Sequence, residues 1–516
     1  MESSLRDFTR RLLPTTTLVG RLLRAIPKPP ETPQFINNYI YEVEPKLWHK
    51  RVTVKTADPL FSLVVPMFNT PEAYLRPLLD SVTNQTFTRF EAILADASTD
   101  ESSAARIKRL AAGDPRFKYL RLTENCGISA NTNAALRLAT APYVVFCDHD
   151  DVLDLHALNE VAARIAKDPS IDVLYSDEDK LSNDGLTRRL PAFKPRWSPH
   201  MFLMCNYTNH LSVIRRSIIN EIGGLRPEFD GAQDYDLLLR IHSLGRPIKV
   251  KHIPSILYHW RESAQSTSSS LASKSYAVKA GRDALSEYLD RLGICHAGVE
   301  DLAVQPSWHR IKPRWCAKVA VVCAGTAAGY IETLRQATVA SVCRPTWISQ
   351  PDGFDPTALP AKMEAVVVVS RCYLPDEPEW LDDLVGALVL PAATVVAPLL
   401  AARSGLVESA GVAIDALGVF PILRGDSVNS GNAVGLSRMI RDVDAISRPV
   451  YAVKRDDLDL VAPIRGMLCQ DMVTVPPERG NAVVWGPTSM RRHETFFGDD
   501  FISPYLGLGV MGWSQE

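Results

Sequence analysis

The chain has 516 residues, a length that predicts about two to four domains. Its composition, 46% hydrophobic and 22% charged, is that of a soluble globular protein, and a net charge of -2 argues against nucleic acid as the main partner. Nine cysteines, an odd number with no CxxC pair, exclude a disulfide framework and point to reduced thiols in a cytoplasmic setting.

Residues 1–59 are a basic, amphipathic and Pro-rich lead. Arg6, Arg10, Arg11, Arg21 and Arg24 interleave with leucines. Such a helix suits peripheral association with an anionic membrane face, and equally suits packing on its own domain. No continuous apolar core with a small-residue cleavage site follows, so no secretory signal is expected.

From Leu60 the pattern becomes regular. FSLVVPMFN, FEAILADASTD, FKYLRL and YVVFCDHDD read as strands, separated by the helical segments Pro71 to Val82, Ala104 to Ala112 and ISANTNAALRLA. Strand–helix alternation predicts an α/β fold, a mostly parallel sheet with helices on both faces. The strand tips Pro66 to Asn69, Asp96 to Asp100, Asn125 to Gly127 and Asp148 to Asp151 would then face one crevice, where open α/β sheets bind ligands. No GxGxxG follows the first strand, so the dinucleotide fingerprint is missing.

At Tyr143 to Asp151 a buried-strand run meets Asp148, His149, Asp150 and Asp151. Carboxylates this close repel unless a cation or donors neutralise them. A divalent ion with oxygen ligands does so, and a helix N-cap accounts for only one of them. Further on, DVLYSDED is a strand whose acidic tail, Asp177 to Asp179, reads either as a solvated loop or as part of the site. GAQDYDLLLR starts a helix with Asp234 at its head, where a side chain projects into the crevice. KVKHIPSILYHWR is a strand ending on His259, Trp260 and Arg261, and a histidine there is a ligand candidate. Leu384 to Ala402, 19 residues without a charge, approaches bilayer-spanning length. With Pro391 and Pro398 inside it, it reads instead as a helix end, a turn and a buried strand.

Residues 60 to about 268 resemble a family 2 glycosyltransferase of the GT-A fold, in the subgroup of bacterial O-antigen, capsule and rhamnan-type polysaccharide synthesis. The likeness rests on VVPMFNTP, ADASTD, ENCGISANTNAAL, CDHDD, YSDEDK, FKPRWSP…NY, GG…DGAQDYDLLLR and LYHWR, in that order. The resemblance implies that Asp148 and Asp150 hold a divalent ion, Mn2+ or Mg2+, on the diphosphate of a nucleotide-diphospho-sugar, with His259 as third protein ligand. It implies further that Asp96 accepts a hydrogen bond from the base, that Pro66 and Phe68 line the base and ribose, and that Arg261 belongs to the donor site. Asp234 is implied as the general base of an inverting transfer. Trp197, Tyr207 and Trp260 suit sugar faces or core packing. ADASTD replaces the commoner DDGSTD, which leaves one of two adjacent carboxylates.

The second half reads as a worn repeat. At an offset of 222, EAVVVVSRCY falls on PYVVFCDHDD, so Asp148 becomes Ser370, His149 becomes Arg371 and Asp150 becomes Cys372. At an offset of 235, Asp234 becomes Cys469, and His493 stands near the metal-histidine place. Val65 and Asp148 are 83 residues apart, Val322 and Ser370 only 48, and the missing stretch is expected to be the one with the base-binding carboxylate. The expected layout is a lead (1–59), a catalytic GT-A domain (60–293), a linker (294–315) and a degenerate, inactive GT-A-like domain (316–516). The expected function is sugar transfer to a growing bacterial surface polysaccharide or lipid-linked glycan at the inner face of the cytoplasmic membrane. A nucleotidyltransferase is disfavoured, since the first strand lacks a Gly-rich basic loop. From another class, the alternative is a non-catalytic nucleotide-sugar or glycan-binding protein.

Overall fold

The structure, a computed structural model, describes residues 58–262, 271–302, 305–326, 328–370, 373–404, 406–415, 418–421, 440–443, 445–447, 449–461, 472–474 and 479–492. The basic lead and the repeat positions Arg371, Cys372, Cys469 and His493 lie outside them. The chain divides into two compact units, one from Pro30–Trp197 and Cys205–Arg291, the other including Ser198–Met204 and Leu292–Glu516.

The first unit is built on β1 (Phe61–Met67), α1 (Glu72–Thr83), β2 (Phe90–Asp96), α2 (Glu101–Ala111), β3 (Phe117–Arg121), α3 (Ile128–Leu136) and β4 (Tyr143–Phe146). β1 and β2 are buried along their whole length, which is why they read as near-continuous apolar runs rather than as alternation. α1 buries Leu75, Leu78, Leu79 and Val82, a stripe at helical spacing, each worth about 1.5–3 kcal/mol of apolar burial. After the acidic turn come β5 (Val152–Leu153), α4 (Ala157–Lys167), β6 (Val173–Leu181), β7 (Arg188–Ala192), β8 (Ser212–Arg215), α5 (Arg216–Glu221), α6 (Gln233–His242), β9 (Val250–Arg261) and α7 (Leu271–Arg291).

The strand order is β3-β2-β1-β4-β8-β6-β9-β5, with β7 paired on β6. The half from β3 to β4 is parallel. β8 then runs antiparallel to both β4 and β6, and β5 antiparallel to β9. β6 and β9 pair in parallel, so most paired residues of the sheet lie in parallel ladders, with β5, β7 and β8 as its antiparallel members. The acidic tail of β6 is no solvated loop either: Asp177, Glu178 and Asp179 are buried within the strand.

One glycine shows why the helix after β3 must start as it does. Gly127 precedes α3 with φ +93, and a Cβ there would stand 2.3 Å from Asp230 Oδ2. Asp230 reaches in to accept from Ser129 N at 3.1 Å, so a distant carboxylate caps α3 in the space a side chain would fill.

The second unit contains β10 (His296–Leu302) and β11 (Gln305–Pro313), β12 (Val319–Ala324), α8 (Ala328–Gln336), β13 (Thr346–Gln350), β14 (Ala365–Val369), β15 (Tyr373–Pro375), α9 (Trp380–Ala387) and β16 (Ala393–Ala401). β17 (Val450–Lys454) and β18 (Asn481–Arg492) complete its main sheet. The expected linker, 294–315, is instead the β10–β11 hairpin. Val299, His309 and Ile311 are buried, so this stretch has apolar surface to cover and does not run free. The apolar run from Leu384 is the end of α9, a turn, and β16, all nine residues of which are buried. Among the described residues no helix is long and apolar enough to cross a membrane.

The main sheet here runs β13-β12-β14-β17-β16-β18-β15. It matches β2-β1-β4-β8-β6-β9-β5 strand for strand, and the senses agree: β12/β14 and β16/β18 are parallel, while β14/β17, β16/β17 and β15/β18 are antiparallel. What the shortened stretch removes is the counterpart of β3. The β2 equivalent survives as β13, so the lost residues are not those of the strand that carries the base-binding carboxylate. The register also relocates one position. At the offset of 222, Leu374 stands for Val152 and pairs with Arg491, where Val152 pairs with His259. Arg491, not His493, therefore occupies the histidine's place in the ladder.

Gly386 of α9 lies against the hairpin, and a Cβ on it would come 2.1 Å from Pro313 O. A backbone carbonyl cannot rotate away, so Gly386→Ala is expected to cost about 1–3 kcal/mol. Calorimetry of the full chain should show the transition of this unit lowered; an unchanged transition would contradict the contact.

Candidate active site

The tips of β1 and β2 are zipped together. Asn69 N donates to Ser98 Oγ (2.9 Å), and Thr99 N donates to Asn69 Oδ1 (2.9 Å). Asp96 closes β2 with no exposed surface. Its Oδ1 accepts from Ser98 N (2.9 Å), and its Oδ2 from Tyr119 Oη (2.8 Å) and Arg121 Nη1 (2.9 Å). A buried carboxylate needs such donors to stay charged. Pro66 is buried within β1, whereas Phe68 just beyond the strand is 39% exposed. Of the two, only Phe68 presents its side chain to a ligand.

The acidic turn hangs between these loops and β9. His149 Nδ1 lies 3.0 Å from Thr70 Oγ1, which ties the turn to the loop after β1. Asp151 is fully buried, and it accepts from Tyr258 Oη (2.6 Å) and from Arg261 N (2.7 Å). Burial first, then the charges of Asp148 and Asp150, push its carboxyl up to about 8. Asp151 is thus the anchor of the turn. Asp148, by contrast, is 43% exposed. The Arg261 side chain is buried as well: its Nε donates to Asp150 O (2.7 Å) and its Nη1 to Asn183 O (3.2 Å). Its assignment to the donor site is corrected accordingly. The guanidinium braces the backbone under Asp150, because the strand register turns it inward among carbonyls.

His259 is nearly buried, and its Nδ1 lies 2.7 Å from Asp179 Oδ1, while Asp179 Oδ2 accepts from Arg188 Nε (2.6 Å). A carboxylate on one ring nitrogen fixes the tautomer and presents the other, the usual support of a metal-ligating histidine. The ladder sets His259 opposite Val152, two residues past Asp150. Among the described residues, however, no three His, Cys, Asp or Glu side chains form a closed metal-holding group. The donor set suits an ion that takes its remaining ligands from a diphosphate, as Mg2+-type sites do. It does not suit an ion caged by protein alone.

The histidine facing Asp148 is His210. Its Nε2 is 3.6 Å from Asp148 Oδ2 and its Nδ1 3.2 Å from Glu178 Oε2, and its ring stacks on Tyr258 (centroids 4.7 Å). Burial disfavours its charge, but Asp148 and Glu178 outweigh that and push it up to about 10. Burial likewise opposes the charge of Asp148, yet His210 and then His149 hold its carboxyl below the usual carboxylate range. Trp260 sits beside His210 (5.5 Å), while Trp197 packs edge-on to His242 at α6 (5.9 Å) and near Tyr207 (6.2 Å).

Asp234 stands in the first turn of α6. Its Oδ2 accepts from Asn209 Nδ2 (3.0 Å) and Gln233 Nε2 (3.3 Å). Burial and then the charge of Asp148 push its carboxyl up to about 6, against His210 and the Asn209 bond, which pull the other way. Sequence reasoning missed Asn209, His210, Lys194 and Tyr258. Their only signal was their place inside the FKPRWSP…NY stretch (Lys194), just beyond it (Asn209, His210) or in the strand before HWR (Tyr258), because none stands in a charged cluster of its own.

Residues 62–223 match the model of "Glycosyl transferase family 2". The chain is 38% identical over 234 residues to an uncharacterized protein, y4gI, of Sinorhizobium fredii, a match covering 45% of this chain and 26% of that protein. It is 39% identical over 236 residues to the O-antigen biosynthesis protein RfbC of Myxococcus xanthus, covering 46% of this chain and 18% of the relative. The matches thus span about a quarter or less of those relatives' length. Among solved structures it is similar to S. aureus TarS 1-349 in complex with UDP, with TM-score 0.33, 22% identity, and coverage of 45% of this chain and 71% of that one. The matched segment, residues 62–223, holds the strand tips and acidic turn described above, and this segment carries a glycosyl transferase family 2 domain.

Proposed function

We propose that the first unit transfers a sugar from a nucleotide-diphospho-sugar to a hydroxyl of a bacterial surface polysaccharide or lipid-linked glycan, with inversion at the anomeric carbon. The observation that carries this reading is Asp234. A carboxylate tuned to about 6 at a helix head, electrostatically coupled to Asp148, has the affinity a general base needs near neutral pH. Asp234 takes the proton of the acceptor hydroxyl as its oxygen attacks, and the nucleoside diphosphate leaves on the opposite side. Phe68, exposed beyond β1, lines the nucleoside, while Asp96 is fully buried and, instead of meeting the base, braces the tip of β2 through Ser98, Tyr119 and Arg121. Asp148 and Asp150 would meet a divalent ion, Mn2+ or Mg2+, whose other ligands the diphosphate supplies; His259, held by Asp179, is not grouped with them among the described residues. When bound, such an ion neutralises the charge of the leaving diphosphate. The O-antigen relative supports the acceptor class, and attachment at the inner membrane face is part of the same proposal.

For the second unit we propose a role without transfer, in packing or glycan binding. Ser370 stands where the first unit has Asp148, and the β3 counterpart with the partners of Asp96 is missing. The test of the first reading is calorimetry of UDP, GDP and dTDP with the full chain, with and without Mn2+. Metal-dependent binding of one nucleotide is expected. Binding of none would favour the glycan-binding alternative.

A further inference from the structure

The proposed base and the proposed metal side of the site are joined by two consecutive residues. Asn209 donates to Asp234, and His210 faces Asp148. This dipeptide is itself clamped. Lys194, nearly buried, donates through Nζ to Asn209 O (2.8 Å) and His210 O (2.5 Å), and it lies 3.6 Å from Glu178 Oε2. Glu178, also buried, accepts from His210 N. Two buried, opposite charges therefore fix the backbone at Asn209 and His210. A buried ion pair costs more in desolvation than it returns unless its remaining donors and acceptors are used, and here they are spent on this backbone.

We infer that Asn209 is the positioning residue of Asp234: its amide occupies Oδ2, sets the plane of the carboxylate and leaves Oδ1 to receive the acceptor's proton, while Lys194 holds Asn209 in place. This rests on the reading of Asp234 as base. Removing the amide takes a donor from the charged form and leaves burial and Asp148 unopposed except by His210. The groups facing Asp234 are then Asp148 from the acidic turn, His210 from the loop before β8 and the neutral Gln233 from its own helix. Asp236, two residues further into α6, is paired with Arg226 and Arg240.

The pH profile of kcat/KM separates a positioning asparagine from a purely structural one: its limb near 6 should move up in Asn209→Ala, an unmoved limb overturning the inference, while the pH dependence of stability tests the bond itself. A bond to a charged acceptor is worth more than one to a neutral acceptor. The thermal unfolding of full-length wild type, Asn209→Ala, Asp234→Asn and the double variant is to be followed at pH 5 and pH 8. The penalty of Asn209→Ala should be greater at pH 8 by about 2 °C, and this difference should vanish in the Asp234→Asn background. Asn209→Asp, an isostere that folds in the same space, should widen the pH 8 penalty through carboxylate repulsion. Equal penalties at both pH values, or a pH-dependent difference that survives Asp234→Asn, would overturn the inference. Failure of the base reading shows separately, as Asp234→Asn turning over donor at the wild-type rate.

Discussion

Asp150→Ala is expected to weaken Mn2+-dependent nucleotide binding by more than about 100-fold, since even outer-shell losses around a metal cost about 10- to 100-fold. The turn itself should survive. It is held by Asp151 through Tyr258 Oη and Arg261 N, and by Arg261 Nε on the backbone carbonyl of Asp150, none of which uses the Asp150 side chain. Titration calorimetry with UDP, GDP and dTDP should report the loss. Wild-type affinity in the variant, or equal binding by wild type with and without Mn2+, would sink the metal assignment. Asp151→Ala makes the contrast. It removes the anchor of the turn, leaves Tyr258 Oη and Arg261 N without their acceptor in a buried place, and should destabilise the first unit by several kcal/mol, about 1–3 for each orphaned group.

The second large effect is that of Asp234→Asn, expected to lower turnover by about 10²–10⁴ while leaving nucleotide binding in place. In the wild type, kcat/KM should rise with pH up to about 6 and then level, since the base works only when ionised. The same shift bears on stability. The folded-state value is raised above the ordinary one, so the folded chain holds this proton more tightly than the unfolded chain does. The resulting stabilisation is fully present below the ordinary carboxylate value and is lost as pH rises through about 6. Asp234→Asn should consequently melt higher than wild type at pH 8 and close to it at pH 4. A variant that loses activity and stability together at pH 8 would speak against a base held in a costly environment.

Much of this protein is legible from residue order alone. The buried strands announce themselves because both faces of a central strand are covered, so Leu63 to Val65 and Val144 to Phe146 need no partner to be recognised. The acidic turn, the helix headed by Asp234 and the repeat in the second half follow from local pattern and spacing. The sense of each strand pair, by contrast, was set by tertiary contact, because the alternation of strands and helices does not distinguish β8, which returns antiparallel, from a further parallel strand. The stretch 294–315 reads as a linker because its buried positions, Val299, His309 and Ile311, are interleaved with polar residues that look solvated in one dimension. Asp177 to Asp179 look like a surface run for the same reason, yet each meets a buried partner from another segment: His252 at 2.8 Å for Asp177, Lys194 for Glu178 and His259 for Asp179.

Residue type and order by themselves determined which carboxylates bear on the chemistry, since a run of acids after a buried strand is costly wherever it falls. Only the folded chain decided their parts: Asp151 as internal anchor, Arg261 as brace, His210 rather than His259 facing Asp148, and Asn209 on Asp234. Those parts depend on which oxygen meets which donor across separations of 25 to 111 residues. Such distances close through packing of the sheet, and no local spacing encodes them.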